Sequence, residues 1–222
     1  MTNAYRTGVI PSKGREMTRI AIVAFMLSLW PAASPAGDPS RTGNGPSAPF
    51  QARRDSLRVG DEAPPFVMRD LLTDEANYLR DFTGRTLRDA WKKKDRHVVV
   101  ISFWATWCQP CKVEIPVLAK MAQEFKDQTV KFFLVNTMED SNTTEDSVRA
   151  VFRNRGYSLT CLIDPSQRFQ SLYTVRGLPM LVVVDKFGIV RKVNRGYHEN
   201  FDIELRSLVR SLLKEEAPAG VK

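Results

Sequence analysis

The sequence predicts an α/β domain built on a central mixed sheet flanked by helices, and three observations carry that prediction. Short, almost unbroken apolar runs recur from His97 onward, and stretches of helical spacing separate them. A strand apolar at every position is one covered on both faces, and strands alternating with helices imply a parallel-rich sheet. Near the end, one run alternates apolar and polar residues instead, the pattern of an antiparallel edge strand.

His97 to Trp104 (HVVVISFW) is the first central strand, and a helix follows over Cys111 to Phe125, interrupted by Pro116, which lacks the N–H a helix interior uses. Val130 to Val135 (VKFFLV) is the second strand, Thr144 to Arg155 a helix, and Leu159 to Ile163 (LTCLI) a shorter strand. Ser166 to Val175 is the next helix, and Met180 to Val184 (MLVVV) another covered strand. Asp185 to Gly188 (DKFG) turns the chain into the alternating edge strand, Ile189 to Tyr197, and Phe201 to Leu213 forms the last helix. Ahead of all these, Thr86 to Lys94 (TLRDAWKKK) sets Leu87, Ala90 and Trp91 at helical spacing beneath a cationic face, which reads as a surface helix rather than a binding box.

Of the 222 residues, 59–216 are assigned to this single domain, 37–58 to a disordered linker of Gly, Pro, Ser and Arg, and 217–222 to a tail. Residues 1–36 have the order of an export signal: basic residues to Arg19, the apolar run Ile20 to Trp30, then PAASPAG. That run rises about 16 Å as helix, short of the roughly 20 residues that span a bilayer, so cleavage after Ala36 is expected. A leader left uncleaved would instead tether the domain to the membrane. Met17 opens a compact signal of its own, and residues 1–16 are then an over-extended start. The mature chain is expected to act in the periplasm or otherwise outside the cytoplasm, where disulfides persist. The net charge of +8 resides partly in the leader and forms no basic stripe interleaved with aromatics, so nucleic acid is not an expected partner.

Two of the three cysteines lie three apart in FWATWCQPC, at the junction of the first strand and the following helix. Unpaired amides and the positive end of the helix dipole stabilise a thiolate there. Cys108, at the end expected to be exposed, is the candidate nucleophile. Cys111, one turn deeper, resolves the mixed disulfide by closing the Cys108–Cys111 bond. Gln109 and Pro110 between them supply no cation, and a weakly stabilised thiolate favours a reductant. A purely structural disulfide would close so short a loop that it constrains the unfolded chain little.

FWATWCQPC, with Pro116 five residues after Cys111, resembles the active site of the thioredoxin superfamily. GDEAPPF (Gly60 to Phe66), Glu114 in CKVEIP and VRGLPM around Pro179 resemble the exported TlpA/ResA-type branch, over about Val59 to Leu213. The resemblance implies a thioredoxin-like fold with an extra helix-strand insertion between the CxxC helix and the cis-proline, which fits the separation of 68 positions from Cys111 to Pro179. It implies a thiol:disulfide oxidoreductase with catalytic Cys108 and Cys111, a cis-proline at Pro179 facing them, and a Leu178 backbone that hydrogen-bonds an extended substrate. Trp107, Gln109 and Pro110 would line the substrate site. No cofactor is implied. Disulfide-containing extracytoplasmic proteins, among them apocytochromes c in cytochrome c maturation, would be substrates, and a membrane thiol carrier would donate electrons.

The chain departs from that pattern in places. Ser102 stands where thioredoxins carry a buried acid, and Met180 follows the proline where small or β-branched residues are commoner, altering the expected groove. Glu114 is either a proton acceptor for Cys111 or a first-turn glutamate favoured by the helix dipole. Cys161, among Leu159, Leu162 and Ile163, reads as a buried structural thiol. His97 and His198 lack partner spacing, so no metal site is expected. Rival functions are a disulfide-donating oxidase, a thiol peroxidase and, in another class, a copper-binding or chaperone-like module.

Overall fold

The computed structural model describes residues 56–89 and 95–216. Two short strands, β1 (Val67–Asp70) and β2 (Ala76–Tyr78), precede β3 (Val98–Trp104), α1 (Gln109–Glu124), β4 (Val130–Asn136) and α2 (Glu145–Asn154). Then come β5 (Thr160–Ile163), α3 (Arg168–Leu172), β6 (Met180–Val184), β7 (Val190–Arg195) and α4 (Phe201–Lys214). The strands form one sheet of order β2-β1-β5-β4-β3-β6-β7. The pairs β3/β4 and β4/β5 are parallel; β1/β2, β1/β5, β3/β6 and β6/β7 are antiparallel. The sheet is therefore mixed, as expected, with antiparallel pairs outnumbering the parallel ones that the strand-helix alternation suggested. β6 is as apolar as β3, but an unbroken apolar run reports cover on both faces and not strand direction.

All seven residues of β3 are buried, and they divide by parity between two cores. Val98, Val100 and Trp104 join the core beneath α1, α2 and α4; Val99, Ile101 and Phe103 join the core with Tyr173 and Val175. In α4, Phe201, Leu205, Val209 and Leu212 make the inward stripe. α2 begins at an N-cap whose Thr144 side chain accepts from the Ser147 N–H.

Sequence reading missed the β1–β2 hairpin, which is short and largely polar. It is held by Asp70, whose Oδ1 accepts from Leu72 and Thr73 N–H at 2.7 and 2.9 Å, and by the pairing of Arg69 with Asp74 and with Glu145. Ahead of Val59, Leu57 is 2% exposed, and its N–H donates to Thr174 Oγ1 at 2.8 Å. The expected helix over Ser166 to Val175 shortens to α3. Gln167 precedes it at φ +55°, and Tyr173 leaves it to bury its ring and donate its hydroxyl to Pro64 O at 2.8 Å. In the segment read as a surface helix, Thr86 to Asp89 is irregular, with Leu87 buried and Arg88 paired to Asp81, and 90–94 lie outside the described residues. So do the expected leader, the linker before Ser56 and the tail. Among the described residues no helix is long and apolar enough to cross a membrane.

Candidate active site

β3 runs into the turn Ala105 to Cys108, and Cys108 is the N-cap of α1, with Pro110 in the first turn, where a missing N–H costs nothing. Cys108 and Cys111 are joined as a disulfide with Cα atoms 5.3 Å apart, and Cys111 N–H donates to Cys108 Sγ at 3.3 Å. An amide aimed at the sulfur is the interaction that favours a thiolate on Cys108 once the pair is reduced. Cys108 is 2% and Cys111 1% exposed, which corrects the expectation that Cys108 lies at an exposed end. In the oxidised state both sulfurs belong to the core beneath α1, and exposure falls to Trp107, Gln109, Pro110 and Val113 around them.

The Leu178–Pro179 peptide bond is cis. β6 starts one residue later, and Met180 pairs with Phe103, so Pro179 stands at the sheet end where β3 delivers the cysteine turn. Pro179 O accepts from Gly196 N–H at 2.9 Å, and Leu178, half-buried, packs against the cluster that contains both cysteines. Met180 is fully buried in the opposite core; its side chain does not line the groove, contrary to expectation.

Glu114 lies in the second turn of α1 and is 0% exposed, and the first turn carries no acid, so the helix-dipole reading is corrected. Ser102 Oγ–H donates to Glu114 Oε1 at 2.6 Å, and Oε2 has no hydrogen-bond partner. Burial raises this carboxyl to about 7 against the opposing Ser102 bond, because desolvation disfavours the anion. The residue standing in place of the usual buried acid thus hydrogen-bonds another acid that reaches the same face of the sheet from α1.

Sequence reading did not single out Glu139, in the loop after β4. Its Oε1 accepts from Thr106 N–H at 2.7 Å and from Asn136 Nδ2 at 2.6 Å, and its Oε2 accepts from Thr106 Oγ at 2.7 Å. Next to it Met138, at φ +58°, accepts from Trp107 Nε1 at 2.9 Å. Two consecutive loop residues therefore grip the two residues before Cys108. The available signal was an acid just past an apolar strand, but only the parallel register of β3 and β4 brings it beside the cysteine turn. Glu139→Ala is expected to lower stability by on the order of 2 kcal/mol in urea titrations, since it leaves Thr106 and Asn136 donors unpaired.

Cys161 is free and 1% exposed, and burial pushes its thiol up, as a structural thiol requires. His97 Nδ1 lies 3.1 Å from Asp95 O, and His198 Nε2 lies 3.9 Å from Glu204. Among the described residues no group of three or more His, Cys, Asp or Glu side chains is placed to hold a metal.

Residues 59–193 match the AhpC/TSA family. The chain is 31% identical over 147 residues to the thiol-disulfide oxidoreductase ResA of Halalkalibacterium halodurans, covering 66% of this chain and 74% of that one. It is 30% identical over 156 residues to ResA of Geobacillus kaustophilus, covering 70% and 79%. A solved structure described as a thiol:disulfide interchange protein DsbE from Chlorobium tepidum superposes with a TM-score of 0.60 at 25% identity, over 71% of this chain and 99% of the other. With the disulfide at the helix N-terminus and a cis-proline at the same sheet end, these matches show that the chain belongs to the AhpC/TSA family of thioredoxin-like proteins, among the ResA-like thiol-disulfide oxidoreductases.

Proposed function

We propose that the protein is an extracytoplasmic protein-disulfide reductase. In the reduced enzyme the Cys108 thiolate attacks one sulfur of a substrate disulfide, forming a mixed disulfide and releasing the other substrate sulfur as a thiolate, which takes a proton from water. Cys111 gives its proton to Glu114, and its thiolate attacks Cys108 Sγ. The Cys108–Cys111 disulfide closes and the second substrate sulfur leaves, so two electrons pass to the substrate and the enzyme ends oxidised. A membrane thiol carrier then restores the dithiol. Leu178 and Pro179 bind the substrate backbone, with Trp107, Gln109 and Pro110 around the reacting sulfur.

The observation that carries the reading is buried Glu114, three residues beyond Cys111, with a carboxyl that titrates near neutrality and so can accept and return a proton. The leader at 1–36 supports action outside the cytoplasm, and the likeness to the TlpA/ResA branch supports apocytochrome c cysteines as substrates. The reducing direction rests on Gln109 and Pro110, which bring no cation to the thiolate. Equilibration with glutathione or dithiothreitol buffers is expected to give a potential near that of thioredoxin, about −270 mV; a value near about −120 mV makes the protein a disulfide donor and overturns the direction.

A further inference from the structure

Glu114 is held by one carboxyl oxygen only. Ser102 Oγ–H donates to Oε1 at 2.6 Å, while Oε2 is closed to solvent and has no hydrogen-bond partner. An unfilled buried oxygen costs free energy, and where water cannot reach it the donor has to come from the protein. Cys111, 1% exposed, is the buried residue one helical turn before Glu114, so the two are neighbours on one face of α1. As half of the disulfide its sulfur carries no hydrogen. Reduction supplies one. The oxygen left bare in the oxidised chain is matched by an S–H that only the reduced chain contains.

Ser102 decides which oxygen is left bare. It lies within β3, with Leu134 of β4 and Leu181 of β6 beside it in register, and α4 adds Phe201 and Leu205 to the same core. The titratable members of that core besides the cysteine pair are Cys161, Tyr157 and Tyr197. Burial pushes Cys161 and Tyr157 up. No charged side chain acts on the Glu114 carboxyl: burial raises it and the Ser102 bond lowers it. A hydroxyl donating to Oε1 disfavours a second hydrogen on that oxygen, which leaves Oε2 to take the proton.

We infer that Ser102 is the positioning residue for proton transfer in this site: its hydrogen bond fixes Glu114 Oε1 as the carbonyl oxygen and reserves Oε2 for the proton of Cys111. This role rests on the proposed reductase reading. In the mixed disulfide the proton moves from Cys111 Sγ to Oε2, and the sulfur's electron pair forms the bond to Cys108 Sγ. The electron pair of the broken bond leaves with the substrate thiolate, which takes a proton from water. Oε2 keeps its proton until a dithiol carrier reopens the Cys108–Cys111 bond, and returns it to Cys111 as that sulfur leaves.

A single turnover of the reduced full chain with one equivalent of an aromatic disulfide, whose thiolate halves absorb visible light, separates the steps. The first release reports attack by Cys108 and the second reports resolution by Cys111. From about pH 5 to about pH 9 the second rate is expected to rise with a midpoint near 7, as the carboxyl ionises. Ser102→Ala should move that midpoint up by about one unit and slow the second release about fivefold at pH 7, because the carboxylate loses its donor. Ser102→Thr keeps the hydroxyl and should restore the midpoint. A site that is merely loosened loses rate without moving a midpoint. The infrared carbonyl band of protonated Glu114 in the oxidised chain, identified by its loss in Glu114→Gln, reads the oxygen directly. It should lie where a hydrogen-bonded carbonyl absorbs and move to higher wavenumber in Ser102→Ala.

A midpoint or a band left in place by Ser102→Ala overturns the role of Ser102. A band at the position of a free carbonyl in the unmodified chain overturns it too, since the proton is then on Oε1, and this reading stands even if Ser102→Ala does not fold. Insulin reduction by the unmodified chain scores the reductase separately. An active enzyme indifferent to Ser102 refutes the positioning role alone, and a chain that shows both shifts yet reduces no insulin refutes the reductase alone.

Discussion

Cys108→Ser is expected to abolish insulin reduction, with a loss of at least about a thousandfold, because the attacking sulfur has no substitute in the site. Cys111→Ser should also stop turnover but at a different step. Cys108 still attacks, nothing resolves the product, and the mixed disulfide accumulates as a mass increase equal to one substrate chain. Both variants lose the same four-residue ring, a loss of about 2 kcal/mol on the loop-entropy account, so a stability change common to both cannot explain the difference between them. Accumulation of the adduct in Cys108→Ser instead would reverse the two roles. The passive copper-binding or chaperone-like alternative predicts peptide binding with no turnover in the unmodified chain, and metal-free insulin reduction by that chain excludes it.

The second large effect is expected at Glu114, and it has both a stability and a catalytic part. Its carboxyl titrates at 4.5 when free and at about 7 when folded, so between these values the folded state binds more protons than the unfolded one. Stability therefore falls as pH rises from about 4.5 to about 7 and levels off above that. The contribution is present in full at the acid end and is on the order of 3 kcal/mol, because the fully buried carboxyl is moved from 4.5 to about 7. Glu114→Gln keeps the shape and an acceptor for Ser102 Oγ but carries no charge. Urea titrations of the oxidised protein at pH 5 and pH 8 should show the unmodified chain losing stability across the range and Glu114→Gln losing none of it at this residue. The same variant is expected to slow resolution of the mixed disulfide by about a hundredfold near pH 7, since a positioned base contributes on that scale. An unchanged rate with an altered stability profile would make Glu114 a structural residue only.

Thr144 to Arg155 and Phe201 to Leu213 were legible to within a residue or so, because a helix reports its buried face every three to four positions and its ends through local residues such as Thr144. The strands β3, β4 and β6 were legible for a different reason, being covered on both faces over most of their length and hence almost continuously apolar. β1 and β2 were not, because their polar residues are satisfied by Glu145, 76 positions on, and by a partner strand, β5, met only in the folded sheet. Strand direction was also out of reach: the apolar content of Met180 to Val184 is the same whichever way it runs beside β3.

The cysteine chemistry was readable from sequence for a local reason. Cys108 and Cys111 occupy the cap and first turn of one helix, so spacing alone brings their sulfurs together and sets them against free amides. The environment of that pair was decided by the tertiary structure. Ser102 meets Glu114 across 12 residues, Thr106 meets Glu139 across 33, and the Pro179 that precedes β6 reaches the cysteine turn only because β6 runs antiparallel to β3. A residue pattern specifies which face is apolar. Which polar group is buried beside which, and so how far desolvation moves a carboxyl or where an unfilled oxygen is left, depends on the packing of distant segments in a medium without water.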